Sequence, residues 1–197
     1  MAISSNTNLN LNTVSRRERK KDERKQQILN AASELFGARG YEATSMEDIA
    51  NHADVSRGTV FYNFASKEQI VIDLRLKSVE EASAQALLKL QAGMRAIDAL
   101  EFFIMETCLW TEKNAELSQI FIVQGPVIQN LIPPELLVRA QEEGSLDGEL
   151  ELDWLTALFT FVMEQGQLSW LTGSRKKSAS SLVKKMFSSV LKGVSSN

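Results

Sequence analysis

Three hydroxyl residues that can open helices, Thr44, Ser56 and Ser66, fall in one short stretch and leave room between them only for two short helices. Thr44 is followed three residues on by Glu47, the capping-box pattern in which each side chain satisfies an orphan backbone donor, and Ser66 is followed likewise by Gln69. Ser56 caps the run Arg57-Gly58-Thr59-Val60-Phe61-Tyr62. Upstream, from about Arg16, the residues Ile28, Leu29, Ala32, Leu35 and Phe36 recur at the spacing of one helix face, and Gly40 ends that stretch as a left-handed cap. The second helix gives way around His52-Ala53-Asp54. Two short helices joined by a turn and packed on a longer first helix make a helix-turn-helix unit.

The remainder also reads as helix after helix. From Ser66 the residues Ile70, Ile72, Leu74, Leu76, Val79, Ala82, Ala86 and Leu90 run without a breaker to Gly93. Ala96 to Glu112 is strongly apolar, Leu117 to Val123 opens a helix broken at Gly125-Pro126, and Pro133-Pro134 starts a short one. Asp153 is the expected cap of a helix to about Leu171, and Lys177 to Val194 is the last. The fold class is therefore all-α: an N-terminal three-helix helix-turn-helix domain over 16–68 and a C-terminal helical domain over 69–197. The Asn/Ser/Thr-rich residues 1–15 lack periodicity and are expected to be a disordered tail.

Composition narrows the chemistry. One histidine, His52, and one cysteine, Cys108, cannot build a zinc site of the usual kind or an internal disulfide, and no phosphate-cradling glycine loop occurs. No metal, no cofactor and no enzymatic activity are expected. Cys108 reads as a small buried hydrophobe. No apolar run is long enough for a membrane span and no secretory signal opens the chain, so a cytoplasmic protein without membrane contact is expected. The net charge of −3 is unevenly spread: residues 68–174 hold six Lys/Arg against seventeen Asp/Glu, while Arg16, Arg17, Arg19, Lys20, Lys21, Arg24 and Lys25 cluster near the N-terminus. A cationic end on an acidic body suits a DNA-binding head on a regulatory domain, although a solvated, charge-mixed helix start has the same composition.

The helix-turn-helix explains the residue types of its second short helix. To enter a major groove about 12 Å wide, the leading residues must be polar or very small, as Ser56, Arg57, Gly58 and Thr59 are. Arg57 can donate a bidentate pair to guanine, Gly58 admits the backbone, and the Thr59 methyl suits a thymine methyl. Val55, Val60 and Phe64 face inward. Tyr62, Asn63, Lys67 and the helix starts at Thr44-Ser45 and Ser66 can reach phosphates.

The run Gly40-Tyr41-Glu42-Ala43-Thr44-Ser45-Met46-Glu47-Asp48-Ile49-Ala50, followed by Ala53 to Glu68 with its Tyr62 and Ser66-Lys67-Glu68, resembles the DNA-binding signature of the TetR family of bacterial regulators. The resemblance covers roughly Arg24 to Leu76. It implies base-reading positions at Arg57, Gly58 and Thr59 and phosphate-contacting positions at Thr44, Ser45, Tyr62, Asn63 and Lys67. Phe61 departs from the tyrosine, and Asn63 from the histidine, that many members carry.

The same resemblance implies that the C-terminal helices bind a small-molecule effector and form a homodimer through the last two helices. Trp154, Leu155, Leu158, Phe159, Val162, Trp170 and Leu171, with Leu182, Met186, Val190 and Leu191, are the expected apolar interface. Pocket candidates are Phe102, Phe103, Glu106, Trp110, Phe121, Gln124 and Gln165. The implied function is a repressor released from palindromic double-stranded operator DNA when the effector moves the fourth helix. Control by a protein partner, and a helical enzyme with a vestigial helix-turn-helix, are the competing readings.

Overall fold

A computed structural model describes residues 16–125 and 131–195, which form nine helices and no strand among the described residues. They are α1 (Arg16–Arg39), α2 (Met46–His52), α3 (Arg57–Asn63), α4 (Lys67–Gln91), α5 (Ala96–Lys113), α6 (Ala115–Gln124), α7 (Pro134–Glu142), α8 (Leu152–Thr172) and α9 (Ala179–Val194). The tail expected over 1–15 and the Pro126 side of the expected break lie outside the described residues.

Local chemistry sets the helix boundaries, with three shifts from the sequence reading. The cap of α2 is Ser45, one residue later than Thr44. Ser45 Oγ accepts from the Asp48 amide at 3.1 Å, and an Asp48 oxygen accepts from the Ser45 amide at 2.9 Å. Thr44 cannot cap because it turns inward and donates to the Gly40 carbonyl at 2.8 Å. Asp153 lies inside the first turn of α8, where its charge suits the helix dipole, and the cap position is Glu151 with no side-chain hydrogen bond. Ser178 opens α9 by accepting from the Ser181 amide. Gly40 takes the left-handed conformation at φ +85°, as a helix C-cap requires.

Two cores result. In the head, Ile28, Leu29 and Phe36 of α1 close on Ile49 of α2, Val60 of α3, Phe64, and Ile70 and Val71 of α4. Leu117, from α6, completes this core, so the head is sealed by the body. The second core joins Val79, Ala82 and Ala86 of α4 to Phe103, Leu136, Phe159, Val183 and Phe187 from α5, α7, α8 and α9. The division expected between 68 and 69 therefore falls in the first turn of a helix that serves both cores.

The expected apolar interface splits in two. Leu155, Phe159, Val162 and Leu171 are buried within their own subunit, because that face of α8 packs on the body core. Of the expected residues Trp154, 48% exposed, faces outward, and beside it so does Phe161, 59% exposed, which was not among them. Trp170 is held sideways by donating its indole N–H to the Lys177 carbonyl at 2.7 Å.

Helices α8 and α9 approach closely at Gly166, where an added Cβ would overlap a methyl of buried, stiff Val183. Gly166→Ala should therefore destabilise the chain by about 1–3 kcal/mol in denaturant unfolding, through overpacking. An unchanged midpoint would mean that the two helices separate freely.

Candidate functional site

The head exposes one surface built from α1 and α3. Ser56 caps α3 by accepting from the Thr59 amide at 3.1 Å, and its hydroxyl lies 2.8 Å from the Thr59 hydroxyl. Val60 and Phe64 anchor the inner face of α3, so its outer face carries Arg57, Gly58, Thr59, Phe61, Tyr62 and Asn63. Tyr62 is 75% exposed, an aromatic side chain standing clear of the protein surface. Asn63 donates to the Thr59 carbonyl at 2.8 Å, and Arg57 stacks over the Phe61 ring at 5.4 Å. The turn before α3 is held by left-handed Asp54 and by Gln27 of α1, which donates to the Ala53 carbonyl at 2.7 Å. Between α1 and α3 runs an open groove of about 750 Å³, lined by Glu18, Lys20, Lys21 and Arg24 on one wall and by Ser56, Gly58, Thr59, Tyr62 and Asn63 on the other. The basic cluster and the short helix thus share one surface.

Two expected phosphate contacts are placed elsewhere. Thr44 is 1% exposed, with its hydroxyl committed inward. Lys67 donates to the carbonyls of Tyr41 and Thr44 at 2.7 and 2.9 Å and sits 3.9 Å over the Tyr41 ring, so it fastens α4 to the turn before α2. Ser45 remains exposed.

Two polar contacts continue this joint. Tyr41 Oη donates to Glu68 at 2.7 Å, and burial followed by that contact raises the phenol above its ordinary range. The hydrogen bond from Tyr41 lowers the Glu68 carboxyl in turn. The Tyr41 amide donates to Glu116 of α6 at 3.1 Å. Both α4 and α6 therefore grip the residues that lead into α2.

The body encloses a cavity of about 230 Å³ between α4, α6 and α8, walled by Val79, Phe121, Ile122, Met163, Leu168 and Leu171. Its polar lining is Arg75, Thr111, Ser118, Glu164, Gln165 and Gln167. Of the seven pocket candidates from the sequence, Phe121 and Gln165 line it. Phe103 is fully buried in the body core, Phe102 lies under Lys89 at 4.6 Å, and Glu106 is half-buried away from the cavity. Trp110 stacks beneath Arg75 at 5.0 Å instead of reaching the opening, and the Gln124 side chain lies outside the described residues. Residues near the start of α5 miss the cavity because it opens opposite the helix's last turns, at Thr111.

Arg75, 6% exposed, escaped the sequence reading. It donates to the Thr107 carbonyl and to Gln167 Oε1, each at 3.1 Å, and Gln167 Oε1 also accepts from Thr111 at 2.5 Å. Burial lowers the guanidinium to about 10, so it stays charged at neutral pH. The Cys108 thiol beside it is pushed up by burial to about 12 and stays neutral. The missed signal was positional: Arg75 lies four residues after Val71 and four before Val79, on the apolar face of its helix.

A head that offers a short exposed helix beside a cationic arm, carried on a helical body with an internal cavity, defines a helix-turn-helix transcriptional regulator that binds DNA sequence-specifically. Residues 28–74 match the family model of bacterial regulatory proteins, tetR family, which assigns the head to that family. It is 26% identical over 145 residues to the transcriptional repressor KstR2 of Mycobacterium tuberculosis, spanning 66% of this chain and 72% of that protein. It is 37% identical over 84 residues to the transcriptional regulator TcmR of Streptomyces glaucescens, spanning 43% of this chain and 37% of that one. Its fold matches Thermus thermophilus FadR, a TetR-family repressor solved in complex with lauroyl-CoA, with a TM-score of 0.68 at 22% identity over 86% of this chain and 94% of that one. Regulators of this family bind operator DNA, dimerise and bind small-molecule effectors. No described helix is long and apolar enough to cross a membrane.

The α2 cap gives the head a pH dependence. Hydrogen bonds from the Ser45 hydroxyl and amide, then from Arg39, lower the Asp48 carboxyl from 3.8 to about 2. A carboxyl depressed in the folded state contributes stability that is present above its ordinary value and lost as the pH falls towards the folded one. In Asp48→Asn the loss of stability between about pH 4 and pH 2 should be shallower than in the parent, read by fluorescence-monitored acid unfolding. Parallel curves would remove Asp48 from the cap's acid response.

Proposed function

We propose that this chain is a homodimeric repressor that holds a palindromic operator through α3 and the α1 arm and lets go when a small molecule fills the body cavity. The observation that carries the reading is the shared groove, in which Lys20, Lys21 and Arg24 stand opposite the outer face of α3. Arg57, Gly58 and Thr59 read bases in the major groove. Ser45, Ser56, Tyr62, Asn63 and the arm lysines contact phosphate and sugar. Lys67 and Thr44 position that surface by fixing the turn before α2. A regulator of chromosomal DNA works in the cytoplasm.

Dimerisation through α8 and α9 is supported by outward Trp154 and Phe161 on α8 and by half-exposed Leu182, Met186 and Val190 on α9. A two-fold operator needs two heads about 34 Å apart, and only a fixed pair of bodies sets that distance. The release mechanism is a population shift: a ligand that prefers one conformer of α4 and α6 changes the spacing of the heads. The cavity touches both struts, at Arg75 on α4 and at Ser118 and Phe121 on α6. The complexes of FadR from Thermus thermophilus with lauroyl-CoA and from Bacillus subtilis with stearoyl-CoA support a ligand-controlled body in general terms.

Selection of bound duplexes from a random pool tests the DNA-binding role. Enrichment of a palindrome is expected, and a pool left random by folded protein would overturn it. On the selected operator, Arg57→Ala should cost about 1–3 kcal/mol and relax preference at one base pair. Replacing Lys20, Lys21 and Arg24 by alanine should instead weaken all sequences and flatten the salt slope by roughly 0.9 for each phosphate no longer neutralised. An unchanged slope would take the arm off the DNA.

Phe161→Glu should convert the dimer to a monomer in light scattering, with operator affinity falling by more than about tenfold because each head then binds alone. A variant that stays dimeric would move the interface off this face of α8.

A further inference from the structure

Arg75 is a buried cation without an ion-pair partner among the described residues. Every Asp and Glu of the chain lies among the described residues, and none of them forms an ion pair with it. Glu164, exposed at the cavity rim, acts on it through space without reaching it. A guanidinium has five N–H donors. Two of Arg75's point at the Thr107 carbonyl and Gln167, and the others have no acceptor among the described residues. Beside it in the same cavity, Ser118 is 4% exposed, and its hydroxyl has no hydrogen-bond partner among the described residues. Buried charges are ordinarily paired and buried hydroxyls ordinarily bonded. A buried charge without a counter-ion and a buried hydroxyl without a partner, facing one apolar-walled space, call for an anion.

Size limits what it can be. At about 230 Å³ the cavity is smaller than the roughly 300–1,000 Å³ of most small-molecule sites. Arg75 is the only cation among the described lining residues, so nothing there would meet the several phosphates of a nucleotide-borne ligand. The Glu164 carboxylate at the rim also disfavours a bulky polyanion.

We propose that the cavity binds a compact organic carboxylate, a small aromatic or short aliphatic acid whose carboxylate pairs with Arg75 and accepts from Ser118 while its apolar body lies against Val79, Met163 and Leu171. This deepens the reading of the cavity as the effector site and rests on it for its regulatory meaning, though not for binding. A fork of donors on a planar guanidinium suits a carboxylate geometrically. Replacement of the charge by an apolar side chain of similar length leaves the neighbours satisfied, since Gln167 Oε1 keeps its bond from Thr111. Arg75→Met is therefore a clean test, because a structural arginine would be missed by the fold whereas an unpaired one would not.

Calorimetric titration of the full chain with benzoate and hexanoate, against benzamide, hexanamide and octanoyl-CoA, decides the matter. The acids should bind at least about tenfold more tightly than their amides. Arg75→Met should abolish that preference without lowering the unfolding midpoint, Ser118→Ala should weaken acid binding a few-fold, and Glu164→Gln should strengthen it. Amides binding as well as acids, a preference kept in Arg75→Met, a tighter CoA thioester, or no acid bound at millimolar concentration would each overturn the proposal. If Arg75→Met unfolds, Arg75 is structural, and the proposal then falls unless Ser118→Ala selectively loses the acids. Adding the best acid to the protein on its selected operator separates the two readings: binding without release overturns the release mechanism and leaves the carboxylate site standing.

Discussion

Helix α4 belongs to two cores at once, and the residue at the seam between them is a charge. Val71 is buried in the head and Val79 in the body, each one helical turn from Arg75 on the same face. Had that position been leucine, the two cores would merge and the head would ride rigidly on the body. A guanidinium there has the opposite consequence. Desolvation costs on the order of a few kcal/mol, only partly offset by two neutral acceptors and the Trp110 ring. The seam thus places a buried charge between two apolar cores, where two arrangements can differ little in energy.

Around the seam, polar contacts join head to body beside the apolar ones that Leu117, Ile120, Phe121 and Trp110 make with the head core. Lys67 and Glu68 tie the start of α4 to Tyr41, while Glu116 ties α6 to the same residue from the other side. Tyr41 precedes α2 and is buried against Phe36, so any displacement of either strut is delivered to the base of the helix-turn-helix. Leu117 adds an apolar contact next to Glu116, one residue before the cavity-facing Ser118. Consecutive residues of α6 therefore touch the head and the cavity, and the path between the two sites is short.

Much of this was legible in the residues. Helix order followed from caps and periodicity, because the signals lie within a few residues of one another and depend on backbone donors alone. The outer face of α3 was legible for the same reason: once Val60 and Phe64 point inward, the residues between them must point out. The remainder needed tertiary information. Thr44 and Ser45 are chemically equivalent caps, and only the packing of Thr44 under Gly40 selects Ser45. Lys67 had the charge for phosphate, but two backbone carbonyls reached it first. On α8 apolar residues stand on opposite faces, so periodicity could not tell Phe159, which meets Phe187 inside the subunit, from outward Phe161. The cavity opens at Thr111, well beyond Phe102 and Phe103 of α5, and its polar members converge from four different helices, so no single periodicity marks them.

The energies involved fit a switch of modest size. Allosteric coupling between two sites usually amounts to about 1–3 kcal/mol, a change of roughly 5–150-fold in affinity. Hydrogen bonds to a charged group are worth about 1.5–3 kcal/mol when the alternative is a buried group left without a partner. A ligand that completes the Arg75 guanidinium in one arrangement of α4, and reaches it poorly in the other, has a differential affinity of that order from this contact alone. Its apolar body adds affinity for both arrangements equally and therefore contributes nothing to the shift. On this account the apolar wall governs how tightly an effector binds, and the Arg75 guanidinium governs whether binding is felt at the DNA.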